Sequence, residues 1–401
     1  MEPFNPLDPH VLVDPYPTYA SYRANEPVHW GAPGDAAMPG TWYLFRFADA
    51  VLALKDPRLG REVWHVKPQP PVAPEFQALS DMASHWMILR DPPAHTRLRG
   101  LVNKAFTPRM AEHMRPRIAW HADRLIDAAM ASGHIDVIAG FARLLPTMII
   151  AEAIGALSED CAMFLPWSVA LAQTIEFQQT DEVRRRGTEA MREMYTYLRR
   201  LMMQRRAGPR DDLLSALLHA EEDDSALSED EILGTITLLL SAGNDPAQHM
   251  IGNAVLALLR HSKALSWLRA HPEAMESATD ELLRFDSSVQ ATFRYALENV
   301  VIGGRPIAAG EHLAIVFGAA LRDPSYCDQP DALDLARKAN TLPYGFGPHF
   351  CLGMPLARAI GQVALERLVT RLPDLHLDAH PLEWEERVAV RGVKALLVTF
   401  G

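Results

Sequence analysis

The run Tyr344-Gly345-Phe346-Gly347-Pro348-His349-Phe350-Cys351-Leu352-Gly353 sets one cysteine on a glycine-rich turn directly before an amphipathic segment. That is the setting a metal-bound thiolate requires. Glycines at 345, 347 and 353 are expected to adopt backbone angles closed to other residues, so that amide N–H groups approach the sulfur. The segment that follows has Pro355 in its first turn and apolar residues at Leu356, Ile360, Val363, Ala364 and Leu368, so it reads as a helix aiming its positive end at the same atom. Both effects favour the thiolate over the inert core thiol that a lone cysteine usually is. Zinc does not fit, because the chain has only Cys161, Cys327 and Cys351, no CxxC pair and no helical His-x-x-x-His near the turn.

These residues resemble the cysteine-ligand loop of the haem-thiolate monooxygenases, the cytochrome P450 superfamily, and the resemblance covers nearly the whole chain. The family loop has an aromatic, a glycine and a basic residue before the cysteine and a glycine after it; here these are Tyr344, Gly347, His349 and Gly353. Tyr344 departs from the usual phenylalanine but keeps a ring beside the sulfur. The resemblance implies a mainly α, single large triangular fold with small antiparallel β-sheets, spanning residues 1–401 as one domain. It implies Cys351 as axial ligand to the iron of haem b (iron protoporphyrin IX), with O2 as co-substrate.

A haem carries two propionates on an otherwise apolar disc, so cationic donors are needed at one edge. His95 and Arg99, four apart, match the family's propionate pair, and Arg294 and His349 match further contacts. On spacing alone the first two are merely basic residues on one helical face. Glu281-Leu282-Leu283-Arg284 matches the family's Glu-x-x-Arg, with Arg337 in place of the arginine that joins the pair; Leu333 stands where a phenylalanine is usual. Their implied role is structural, locking the cysteine loop.

Leu238 to Met250 matches the helix that crosses the oxygen side of the haem, where the family pattern is Ala-Gly, any residue, an acid, then threonine. This chain has Ala242, Gly243, Asn244 and Asp245, then Pro246. In the family that hydroxyl helps to hold oxygen and relay protons. Proline offers no donor and removes the helix hydrogen bond to the carbonyl of Ala242, which is expected to bind an ordered water in compensation. Ala242, Asp245 and Pro246 are therefore the candidate catalytic positions. Asn244, Gln248 and His249 are alternative polar groups whose helical phase points them elsewhere.

The elements that must position these residues are mostly helices. Thr107 to Met130, Ala190 to Arg206, Ser228 to His261 and Pro355 to Leu372 show apolar residues three and four apart, and Ser228 with Glu231 reads as a capping box. Val300 to Ile315, broken by Gly303-Gly304 and Ala309-Gly310, and the tail Val388 to Phe400 alternate like short antiparallel strands. Residues 61–91, proline-rich and without a sustained period, read as a long functional loop, and the resemblance implies that it covers the substrate pocket. The acidic run Glu221 to Asp224 reads as a solvated link.

With 401 residues, 48% of them hydrophobic, the chain can bury a large core, and its net charge of −11 argues against nucleic acid. Three cysteines offer no disulfide framework, which suits a cytoplasmic protein. Met1 to Pro17 has no signal-peptide pattern and no apolar run spans a membrane, so a cytoplasmic monomer without membrane contact is expected.

The implied activity is hydroxylation or epoxidation of a small to medium hydrophobic molecule with O2 and two external electrons. Oxidative coupling or ring closure is the alternative that Pro246 raises. Peroxide-driven oxidation and a non-enzymatic activator of a partner enzyme are further alternatives. No flavin, nicotinamide or iron–sulfur pattern is present, so a ferredoxin or flavodoxin with its reductase is implied, docking near Lys104, Arg109 and Arg358. By segment, the pocket candidates are Trp86, Ile88, Leu238, Ser241, Ala242, Val289, Gln290, Ala389 and Val390.

Overall fold

In a computed structural model of the protein, the described residues are all except 1–3, 32–39, 70, 158–159, 177–179, 223–224, 339–341, 373 and 401. Helices dominate. The longest runs from Glu229 to Arg260 and begins with the expected capping box, Glu231 N donating to Ser228 Oγ (3.2 Å) and Ser228 N to Glu231 Oε2 (2.8 Å). It packs against helices Leu144–Ile154, Cys161–Gln173, Met275–Phe285 and Met354–Arg371, and so forms the axis of the largest buried apolar cluster. Helix Met354–Arg371 in turn lies on helix Pro108–Met130, whose Thr107 caps Met110 N.

Helix Asp181–Ala207 begins nine residues before the predicted start, because Thr180 caps it and Asp181 and Glu182 complement its positive end. Residues 61–91 are not one irregular loop. They contain helix Gln77–Ala83 and short 3-10 turns at Val63–His65, Pro74–Phe76 and Met87–Leu89, each too short for a periodic signal. Glu221–Glu222 pairs with Ser225–Ala226 as a minimal hairpin rather than a bare link; Asp223 and Asp224 lie outside the described residues.

The main sheet orders its strands Val28–Gly31, Thr41–Leu44, His312–Val316, Ala291–Ala296 and Leu59–Gly60. One pairing, Thr41–Leu44 with His312–Val316, is parallel, which corrects the expectation of antiparallel sheets alone. Strands so distant in sequence meet through tertiary packing, and no turn imposes their direction. The predicted break at Gly303-Gly304 is a hairpin turn with φ of +55° and +79°, joining Val300–Ile302 to Arg305–Ile307. The tail strand Leu397–Thr399 joins His376–Leu377 and His134–Asp136 in a three-stranded antiparallel sheet. Among the described residues no helix is long and apolar enough to cross a membrane.

Candidate functional site

Cys351 sits between a 3-10 turn, Gly347–His349, and helix Met354–Arg371. Its own N–H donates to Tyr344 O (2.9 Å), closing the loop. Gly345 and Gly347 have φ of +81° and +72°, as their position in the turn requires, and a Cβ on Gly347 would collide with the Leu54 carbonyl. Gly353 departs from expectation: its φ of −78° is open to any residue, because it is the N-cap of the helix. A side chain there would meet the sulfur itself, since a Cβ would stand 3.9 Å from Cys351 Sγ. Burial pushes the thiol up, against the pull of the Gly353 and Met354 backbone groups and the Arg99 charge. The helix end alone therefore does not yield a thiolate; a cation at the sulfur must complete the effect.

Beside the cysteine loop, and partly on it, lies a group of cations. His95 and Arg294 are buried, and Arg61, Arg99 and His349 are half-buried. The His95 and His349 rings lie 4.3 Å apart. Arg99 Nη1 donates to Pro348 O (3.1 Å), which attaches helix Ala94–Ala105 to the cysteine loop. Arg61 Nη2 donates to Thr292 Oγ1 (3.0 Å) and Arg294 Nη1 to Phe293 O (2.8 Å). The one carboxylate among them is Asp91, which accepts the backbone N–H groups of Arg61 and Glu62 (both 2.8 Å) and faces His349 at 3.9 Å.

Electrostatics show what is missing from this group. Burial, with repulsion from Arg61, drives Arg294 well below its ordinary range, and burial brings Arg61 down to about 10. Burial and neighbouring cations lower His95, and burial takes His349 down to about 4 despite its contact with Asp91. Asp91 falls to about 2 although burial works to raise it, because His349 and two backbone donors hold its charge. Both ring nitrogens of His95 and the Nε of Arg61 are enclosed without a partner among the described residues. The group holds three guanidiniums, Arg61 and Arg294 beside the carboxylate of Asp91 and Arg99 beside Cys351, so against Asp91 alone there is a surplus of two positive charges. Two propionates would neutralise that surplus and occupy the orphaned donors, so the residues present fit an iron porphyrin. Sequence reasoning missed Arg61 and Asp91, since neither belongs to a local motif.

Glu281 and Arg284 are almost wholly enclosed, and Arg284 grips the carboxylate with Nε and Nη2 at 2.6 and 2.9 Å. Arg337 Nε reaches Glu281 Oε1 at 3.2 Å, as the resemblance implied, and Asp334 N adds a fourth donor at 3.0 Å. Arg284 also donates to the carbonyls of Leu321, Pro330 and Ala332, so this ion pair gathers the chain that leads into the cysteine loop.

Pro246 lies inside the long helix, which continues through it to Arg260. Leu239, Ala242 and Pro246, three and four residues apart, keep partial exposure on a helix otherwise largely enclosed. Asp245 does not stand free. Its Oδ2 is 2.5 Å from Arg387 Nη1 and its Oδ1 is 3.4 Å from His249 Nε2. Burial acts to raise its carboxyl, but His249 and Arg387 hold it below the ordinary range. Arg387 was not visible from any motif; it comes from the C-terminal tail.

The pocket candidates divide into two groups. Ile88, Ala242, Val289 and Ala389 are half-buried, whereas Trp86, Leu238, Ser241, Gln290 and Val390 are enclosed by their own packing. Trp86 Nε1 donates to Thr237 Oγ1 (3.1 Å) and Ser241 Oγ to Thr237 O (2.6 Å). Gln290 Nε2 donates to Ser287 O (2.7 Å), and its Oε1 accepts from Tyr19 (3.2 Å). Each of these polar groups has a partner within the fold. Arg358 is ion-paired with Asp280. Lys104 and Arg109 are exposed.

A family model described as Cytochrome P450 matches residues 268–376. The chain is 36% identical to the polyketide biosynthesis cytochrome P450 PksS of Bacillus subtilis, over 99% of this chain and 98% of that protein. It is 38% identical to the vitamin D(3) 25-hydroxylase of Pseudonocardia autotrophica, over 97% and 94% of the two chains. The crystal structure of P450BioI, in complex with an acyl carrier protein ligated to hexadec-9Z-enoic acid, superposes with a TM-score of 0.90 at 34% identity, covering 98% of this chain and 99% of that one.

Proposed function

The chain belongs to the cytochrome P450 family, and from that premise we propose that Cys351 would hold the iron of a haem b and that His95, Arg99, Arg294 and His349 would hold its propionates. The protein is a haem-thiolate monooxygenase that oxidises a hydrophobic organic molecule with O2 and externally supplied electrons. The chemistry that such a group would supply when bound is oxygen activation and monooxygenation.

The chain's own residues supply position and protons. The helix end and the Gly353 and Met354 backbone groups support negative charge on sulfur. Glu281, Arg284 and Arg337 fix the segment that carries it. Ile88, Leu239, Ala242, Val289 and Ala389 give the substrate apolar surface. Asp245, ionised between Arg387 and His249, is where a proton is held or passed on, at the oxygen that faces His249.

The observation that carries this reading is the pairing of Cys351, on a loop closed to Tyr344 O, with a surplus of two positive charges beside that loop. A carbon monoxide difference spectrum of the reduced protein tests it. The red-shifted band of a thiolate ligand is expected, and Cys351→Ser should abolish it; a variant that retained the spectrum and turnover would refute the assignment.

Pro246 in place of the hydroxyl favours a second reaction, oxidative coupling or ring closure, which tolerates altered proton delivery or takes a proton from a substrate hydroxyl. Peroxide-driven oxidation of a carboxylate is disfavoured, because Asp245 and Glu176 place two negative charges against the single Arg387. An intact Cys351 argues against a non-catalytic activator. A ferredoxin or flavodoxin with its reductase would supply the electrons, near the exposed Lys104 and Arg109. Residues 1–401 as one monomeric domain, working in the cytoplasm, complete the proposal. Titration with candidate metabolites, followed by the spin-state shift as water leaves the iron, would identify the substrate.

A further inference from the structure

We propose that Arg61 is a third guanidinium for the cofactor's carboxylates and that, through Asp91, it fastens the base of the pocket-covering segment 61–91 to the cofactor edge. The proposal rests on the haem reading of the site and goes beyond it. Both ends of the segment meet at one carboxylate: Arg61 N and Glu62 N each donate to Asp91 Oδ2 at 2.8 Å. Glu62 Oε1 and Arg90 Nε, one residue inside each end, pair at 2.9 Å. Gly60 makes the approach possible, because a Cβ there would collide with the Asp91 carboxylate. The excursion therefore closes on itself where Asp91 also faces His349 of the cysteine loop.

The guanidinium of Arg61 lacks a sufficient partner within the protein. Among the described residues its head group donates to a neutral hydroxyl, Thr292 Oγ1, while Nε is enclosed and unpartnered. Arg294 repels it, and among the described residues Asp91 is the carboxylate that acts on it. A purely structural arginine would not be placed beside a second buried guanidinium with a donor unused. An anion in contact with both removes the repulsion and takes the free N–H. Without Arg61 the group would carry one surplus positive charge, too few for two propionates. The cofactor and the cover over the substrate pocket are then parts of one network, and loading the first orders the second.

The test uses the haem-loaded protein with Arg61→Gln and Arg61→Lys. Removing a positive charge from the propionate edge favours the ferric form. Arg61→Gln should therefore make one-electron reduction about tenfold less favourable, ~59 mV in midpoint potential. Amide hydrogen exchange in helix Gln77–Ala83 should quicken severalfold, with exchange in helix Met354–Arg371 unchanged, and Arg61→Lys should recover most of the potential. An unmoved potential in Arg61→Gln, with the thiolate carbon monoxide band intact, overturns the assignment of Arg61. A moved potential without faster exchange overturns the link to the cover. Should Arg61→Gln fail to fold, Thr292→Val, which only loosens the guanidinium, must give smaller shifts of the same sign; none there also overturns the proposal. Absence of the thiolate band in the unmodified protein would instead refute the haem reading itself.

Discussion

Arg387 Nη1 stands 2.5 Å from Asp245 Oδ2, while its Nε and Nη2 hold Glu176 Oε1 at 2.8 and 2.7 Å. One residue of the C-terminal tail thus ties helix Glu229–Arg260 to the end of helix Cys161–Gln173. Arg387→Gln should cost about 3 kcal/mol in denaturant unfolding, because it leaves two enclosed carboxylates with one cation fewer. The Asp245 carboxyl should rise, since burial then works against His249 alone, and the pH profile of turnover should move upward. Glu176→Gln should do much less, since Arg387 stays on Asp245.

Tyr344 carries its hydroxyl into an enclosed place with no partner among the described residues. Tyr344→Phe should therefore stabilise the protein by about 1 to 2 kcal/mol in denaturant titration, with an unchanged thiolate spectrum. Loss of stability would mean that the hydroxyl has a partner.

His312 contributes to acid lability. Burial, with repulsion from Arg61, lowers its imidazole to about 3, and its Nδ1 lies 3.0 Å from Thr41 Oγ1. Above a pH of about 6.5 the ring is neutral in both folded and unfolded chains, so nothing is lost. As the pH falls below that, the unfolded chain takes up a proton that the folded one refuses, and stability drops by roughly 1.4 kcal/mol per pH unit towards the folded value. Compared with His312→Gln, the unmodified protein should lose about 2 kcal/mol more between roughly pH 7 and pH 5.

Pro246→Thr restores a hydroxyl on the partly exposed stripe of the long helix, beside Ala242. With the native substrate, the share of electrons lost as hydrogen peroxide should fall severalfold. Equal leakage in both proteins would show that Pro246 has no chemical role.

The sequence by itself determined the features that chemistry ties to neighbouring residues. The cysteine turn, the capping box at Ser228 and Glu231, the Glu281–Arg284 pair one helical turn apart and the Gly303-Gly304 hairpin all depend on contacts within a few residues, so local spacing suffices to read them. Tertiary structure alone decided the rest. Arg61, Asp91 and Arg387 acquire their meaning from partners far along the chain, and a charge has no periodicity that marks its partner in advance. The same holds for Gln290 and Arg358, whose side chains are engaged by Tyr19 and Asp280 from distant segments. Which polar groups face the site is settled by where the packed helices leave them unpaired.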